Sequence, residues 1–187
     1  MKGIRVPLSI YIDNNVWDFL FERHLDLSVE LPKKEFCLCL TREAEFEIPP
    51  IPQEKSDMKR FIDETIKKCT IETRPYFGFG DPALPATEQR VGGFDQGYWA
   101  SKEEVAFIEQ QKTKLGQSKN PMTRLYKNEA DIAIAARAIH SIVLTLDKKR
   151  GPINEGYKKG GRVVFLNDFD RSGRSLKDFI LGKIGNN

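Results

Sequence analysis

Residues 128–147, NEADIAIAARAIHSIVLTLD, constrain the fold more than any other stretch of this chain. Glu129 to Ile139 repeats apolar side chains at helical spacing and is rich in alanine, which suits close packing of a helix against a sheet. Asn128 stands at the position expected of its N-cap. The pattern passes directly into Ser141 to Leu146, an apolar, β-branched run that reads as a strand, and Asp147 closes it.

The same alternation recurs elsewhere. Residues 4–12 predict a strand, Asp13-Asn14-Asn15 a polar turn, and the residues up to Arg23 an amphipathic helix. Phe36 to Leu40 predict a second strand, followed by Thr41 as an N-cap and a short acidic helical turn through Glu47 that ends at Pro49-Pro50. Met58 to Cys69 has helical spacing, Arg162 to Leu166 reads as another strand, and Ser172 to Ile184 as a closing helix. Strands alternating with helices predict a three-layer α/β/α sandwich with a mainly parallel central sheet, whose ligand site lies beyond the carboxyl ends of the strands. At 187 residues and 40% hydrophobic content, one domain spanning 1–187 is expected.

Between about 70 and 121 the composition shifts to glycine, proline and aromatic residues, and an insertion rich in loop is expected there. Within it, Ser101-Lys102-Glu103-Glu104 matches a capping box that opens a helix to about Leu115. Phe77, Phe79, Phe94, Tyr98 and Trp99 either anchor this insertion to the core or stack on unpaired bases.

Composition excludes several functions. Lys2 and Arg5 precede an apolar run too short for a signal peptide, and no stretch approaches the roughly 18 apolar residues of a membrane span, so no membrane partner is expected. Cys37, Cys39 and Cys69 form no even framework, which fits a reducing cytoplasmic setting, and the first two alternate as packing groups on one face of a strand. With only His24 and His140 and no C-x-x-C there is no zinc pattern, so any metal is expected to be a hard ion held by oxygen. A net charge of +3 is too small to identify nucleic acid as a partner by itself.

The acids are informative by position. Asp13 ends the first strand, Glu43 and Glu47 follow the second, Asp131 opens the alanine-rich helix and Asp147 ends a later strand, so all can converge on one sheet edge. Each has a plain alternative: Asp13 and Asp147 as turn residues, Asp131 as a helix-cap acid at the third helical position, Glu43 and Glu47 as a solvated patch. Carboxylates gathered closely repel one another unless a cation sits among them. Mg2+ or Mn2+ would meet that need, lower the pKa of an attacking water and screen a phosphate. Glu43 and Glu47 share a helical face, and Glu47 is the preferred second acid, with Glu43 as the alternative.

Ile12-Asp13, the Thr-led segment ending in Glu47-Ile48, the run Asp131 to Ala136, and Leu144-Thr145-Leu146-Asp147 together resemble the PIN-domain nucleases. The resemblance covers 4–48 and 122–167 and says little of 70–121. It implies a metal-dependent ribonuclease with Asp13, Glu47, Asp131 and Asp147 as its acidic cluster and metal ligands. Thr145 and Asn14 are implied as supporting residues, and the products as a 5′-phosphate and a 3′-hydroxyl. Single-stranded or structured RNA is the implied substrate, and an antitoxin or other protein partner and a homodimer are features of many members. Lys148, Lys149 and Arg150 beside Asp147, with Lys158, Lys159 and Arg162 flanking the next strand, are the expected phosphate contacts, against a solvated loop as the alternative. The competing functions are a structure-selective DNA nuclease, which lacks a helix-hairpin-helix pattern here, and a catalytically silent module that binds RNA or protein. A receiver domain is disfavoured, because its acidic pair would follow the first strand together.

Overall fold

A computed structural model describes residues 6–185. In chain order its elements are β1 (Leu8–Ile12), α1 (Asn15–Glu22), α2 (Leu27–Glu30), β2 (Phe36–Leu40), α3 (Arg42–Phe46), α4 (Ser56–Cys69), β3 (Glu72–Thr73), β4 (Tyr76–Phe77) and β5 (Val91–Gly92). There follow α5 (Lys102–Gln111), α6 (Glu129–Arg137), β6 (Ile142–Thr145), α7 (Pro152–Lys158), β7 (Val163–Phe165), α8 (Phe169–Ser172) and α9 (Leu176–Ile184). Lys2, Arg5 and the start of the expected first strand lie outside the described residues.

Five strands form a central sheet in the order β3-β2-β1-β6-β7, every pair parallel. Period-two alternation sends Ile10, Ile12, Leu38, Leu40, Ile142, Leu144 and Val164 to one face, where they pack with Trp17, Leu20, Met58, Ile62 and Phe179 of α1, α4 and α9. Tyr11, Cys39, Val143 and Val163 face the other way, against Phe107, Ile134, Ala135, Ala136 and Ile153 of α5, α6 and α7. This is the expected three-layer sandwich. The strand order explains why two helical layers are needed. From β1 the chain builds towards β2 and β3, whereas β6 to β7 builds the opposite way, and connections of a single hand then place their helices on opposite faces. The reversal falls between β1 and β6, which opens a crevice at their carboxyl ends.

Local chemistry accounts for most boundaries. Thr41 Oγ1 accepts from Ala44 N at 3.1 Å and starts α3. Ser101 and Glu104 exchange both bonds of the capping box at the head of α5, which gives way to a 3-10 turn before Leu115. Asn128, however, is not a side-chain cap: it sits at φ +66° and donates to Lys114 O at 2.8 Å, because the incoming loop needs a left-handed turn there. The closing helix is two helices, interrupted at Gly173 (φ +61°) and restarted by Ser175, which caps Asp178 N. The basic connection after β6 contains α7, opened by Pro152 and packed through Ile153 and Gly156. A Cβ on Gly156 would stand 3.3 Å from Ala135 O, so its absence lets α7 lie close on the alanine face of α6.

Cys37 and Cys39 do pack on one face, and all three cysteines are free. Among the described residues no helix is long and apolar enough to cross a membrane. The stretch beginning at 70 is not all insertion: Glu72–Thr73 is the edge strand of the main sheet, paired with Cys39 and Leu40. Beyond it β4 and β5 make a separate two-stranded parallel sheet, with Tyr98 bridging to Tyr76. A Cβ on Gly97 would approach Gly92 O and the Phe77 Cα to 2.4 Å. Gly97→Ala is therefore expected to force this small sheet apart at a cost of about 1–3 kcal/mol in urea denaturation. An unchanged midpoint would show that the turn accommodates the methyl.

Candidate active site

Four acids meet at the crevice between β1 and β6. Asp13 follows β1 and its amide donates to Leu144 O at 3.0 Å, which ties the end of one strand to the other. Asp147 lies two residues past β6. The chain of α6 runs back across the sheet before entering β6, so Asp131, in its first turn, lies at the same carboxyl edge. Glu47 arrives as the C-cap of α3.

Two asparagines and a threonine hold these acids. Asn14 Nδ2 donates to Glu47 Oε2 at 2.5 Å and to Ala44 O at 2.9 Å, while its Oδ1 accepts from Trp17 Nε1 at 3.2 Å. Thr145, fully buried, donates to Asp13 Oδ2 at 2.6 Å and accepts from Asp147 N at 3.0 Å. Asn15 donates to the same Asp13 oxygen at 2.6 Å and accepts from Leu146 N at 2.8 Å, so it joins both strand ends. Asn14 and Thr145 were expected to support the cluster. Asn15 was missed, and its signal was available as a third polar residue in the turn after β1.

The electrostatics are one-sided. Burial pushes the Asp13 carboxyl up to about 6, opposed by the Thr145 and Asn15 hydrogen bonds and reinforced by Asp131 and Glu47. Burial raises Glu47 as well, against the Asn14 hydrogen bond and with Asp131 adding to the rise. Asp131 is raised by burial and by Asp147. The strongest influences on these three acids are thus burial, one another, Asp147 and neutral donors, with no lysine or arginine among them.

Glu43 belongs to a different set. Although Glu43 keeps some open surface, its carboxyl is enclosed, and burial pushes it up to about 7 with Glu129 raising it further and Arg137 and Arg90 opposing. Its neighbours are therefore its own compensating cations. Glu47, not Glu43, is coupled to Asp131 and Asp13. The plain explanation of Asp131 as half of a capping box with Asn128 also fails, since the Asn128 side chain is committed to Lys114 O.

Hard oxygen donors outside any salt bridge among the described residues are the donor set that Mg2+ or Mn2+ takes, so the chemistry of the residues fits such an ion. Their spacing is looser: among the described residues no group of three or more His, Cys, Asp or Glu side chains is gathered closely enough to hold a metal.

The expected basic collar is only partly in place. Lys148, Lys149 and Arg150 are exposed beside Asp147, but Lys148 pairs with Asp168 at 3.1 Å, and the Lys149 backbone amide donates to Asp147 Oδ1 while its side chain stays exposed. Lys158, Lys159 and Arg162 are at the opposite, amino edge of the sheet, because α7 carries the chain back across the face before β7 begins. Lys159 bonds to Gln110 there. Of the insertion aromatics, Phe79, Phe94 and Trp99 gather round the half-buried Phe77 and stay largely exposed, whereas Tyr98 is bridged to Tyr76 and carries the Arg74 guanidinium over its ring. His140 contacts Ser101 at 2.9 Å and His24 occupies a positive-φ turn, and neither is hydrogen-bonded to the acids.

No family model, no curated protein and no solved structure matches this chain.

Proposed function

We propose that this chain is a PIN-like, metal-dependent nuclease that hydrolyses phosphodiester bonds, with RNA as its substrate and Asp13, Glu47, Asp131 and Asp147 as the residues that would hold Mg2+ or Mn2+. The observation that carries this reading is the convergence of four acids from β1, α3, α6 and β6 at the strand-order reversal, three of them half-buried and raised by one another or by Asp147, and none of the four in a salt bridge among the described residues. Such an arrangement is costly for a folded protein and is rational where a cation is to be bound.

When bound, the ion supplies the positive charge that activates water and screens the phosphate. The protein's own residues set the geometry. Asn14 fixes Glu47 to the head of α1, and Thr145 and Asn15 lock the Asp13 carboxylate to the end of β6. In the reaction the water oxygen bonds to phosphorus, the bond from phosphorus to the 3′-oxygen breaks, and that oxygen leaves with a proton. The products are a 5′-phosphate and a 3′-hydroxyl.

One observation favours a second reading, a silent module that binds RNA or protein: the acids do not stand at metal-holding distances. Cleavage of labelled single-stranded RNA and matched DNA pools in Mg2+, Mn2+ or chelator separates the two. Metal-dependent RNA cleavage by the native chain, lost in Asp13→Asn and Asp147→Asn, is the expected result. DNA preference would reassign the substrate, and a folded chain that cuts neither pool would favour the binding module.

A further inference from the structure

A cleft of about 500 Å³ adjoins the acidic cluster, lined by Glu47 and Asp131 and also by the segment 118–128. That segment is part of a closed hairpin, not a slack loop. Gly116 N donates to Lys127 O at 3.1 Å, Asn120 N to Leu125 O at 2.8 Å, and Lys119 pairs antiparallel with Tyr126. Leu125 is buried beneath it, and Arg90 ties it down by donating to Arg124 O while pairing with Glu129 at 2.8 Å.

Most cations around this hairpin have carboxylate partners. Arg90 has Glu129, Arg124 has Glu88 and Lys114 has Glu155. Lys119 and Lys127 line the cleft without a salt bridge among the described residues, and the Lys119 ammonium stands 5.4 Å from the centre of the Tyr126 ring. One cleft thus carries carboxylates without cations and lysines without anions, and they are not paired with one another. A phosphodiester satisfies both, since its oxygens can face an ion among the acids and an ammonium on the hairpin.

We infer that the hairpin of residues 116–128 is the strand-binding wall of the site, with Lys119 and Lys127 contacting the backbone phosphates of single-stranded RNA. This deepens the nuclease reading and rests on it for its purpose, but it is measured by binding.

The test is binding of a fluorescent single-stranded RNA to the native chain in chelator, where cleavage does not interfere, over a series of salt concentrations. Lys119→Ala/Lys127→Ala is expected to weaken binding about tenfold near 0.1 M salt and to reduce the slope of log K against log salt by about 1.4, the value for two phosphate contacts on a single strand. The control is Lys33→Ala/Lys34→Ala, which removes the same charge just before β2, at the amino edge of the sheet, and is expected to leave the slope unchanged. Equal affinity and slope for the hairpin variant, an equal loss in the control, or no RNA binding by the native chain would each overturn the inference. Loss of binding in the hairpin variant of a chain that cuts no RNA would instead sustain the inference and fail the nuclease reading.

Discussion

Asp13→Asn is expected to make the metal-free protein more stable at pH 8 while removing the proposed metal-dependent cleavage. Burial lifts the Asp13 carboxyl to about 6 from an ordinary 3.8, so folding favours its neutral form. The folded pKa being the higher, this contribution is fully present below about pH 3.8 and is lost as pH rises through about 6. Above that, the native chain carries a penalty of about 3 kcal/mol, at about 1.4 kcal/mol for each unit of displacement. Asparagine removes the charge and keeps an oxygen to accept from Thr145 and Asn15. The variant should therefore melt roughly 6–10 °C higher at pH 8 and no higher near pH 3.5. Acids with lowered pKa, such as the half-buried Asp26 and the exposed Asp170, shift stability in the opposite sense but belong to both proteins, so the difference cancels them. Mg2+ or Mn2+ should raise the melting temperature of the native chain and leave the variant unmoved. Cleavage should fall by at least about 10²-fold, the scale of losing one element of a preorganised electrostatic site. A variant less stable than the native chain at pH 8 would mean that the carboxylate supports the fold, and the cation-site reading would fall.

The second large effect lies outside the acidic cluster, at Arg137. This residue is only 6% exposed, its guanidinium lies 3.4 Å from the centre of the Tyr76 ring and 5.2 Å from that of Tyr11, and Nη2 donates to Arg74 O at 2.7 Å. Tyr76 in turn donates to Glu104, the capping residue of α5. Arg137 also opposes the rise of the enclosed Glu43 carboxyl. Removing one member of a buried charge set leaves the others uncompensated, so Arg137→Ala is expected to cost about 3–5 kcal/mol in urea denaturation. Glu43→Gln added to Arg137→Ala should recover part of that loss. Arg137→Lys should recover little, because an ammonium cannot reproduce the stacked, planar contact. A loss below about 1 kcal/mol would show that water replaces the guanidinium at no great cost.

The chain displays its main architecture locally. The runs SIYI, FCLCL and IVLT are apolar over the length of a strand, and their period-two split between the two cores follows from the pleat alone. Thr41 and the Ser101–Glu104 box start helices through bonds spanning three residues, which adjacent sequence suffices to specify. Asp13 and Asp147 were legible for the same reason: each follows directly on a recognisable strand.

Other features are invisible in any short window. Glu72–Thr73 is a strand only because β2 offers it a partner, and α7 is a helix whose glycine is tolerated because α6 packs against it. Glu43 and Glu47 are equivalent by spacing, yet one meets Arg90 and Arg137 while the other meets Asn14 and Asp131. Lys148 and Lys119 are likewise both plain lysines near an acid in sequence or in space, and only the hairpin puts the second into the cleft. Hydrophobic period, caps and turns act between residues a few positions apart, so neighbouring residues already specify the layers, most of the elements and the strand-end acids. The partners of the candidate site's acids required the tertiary structure, because strand order and crossover side bring together residues more than thirty positions apart, such as Asn14 and Glu47.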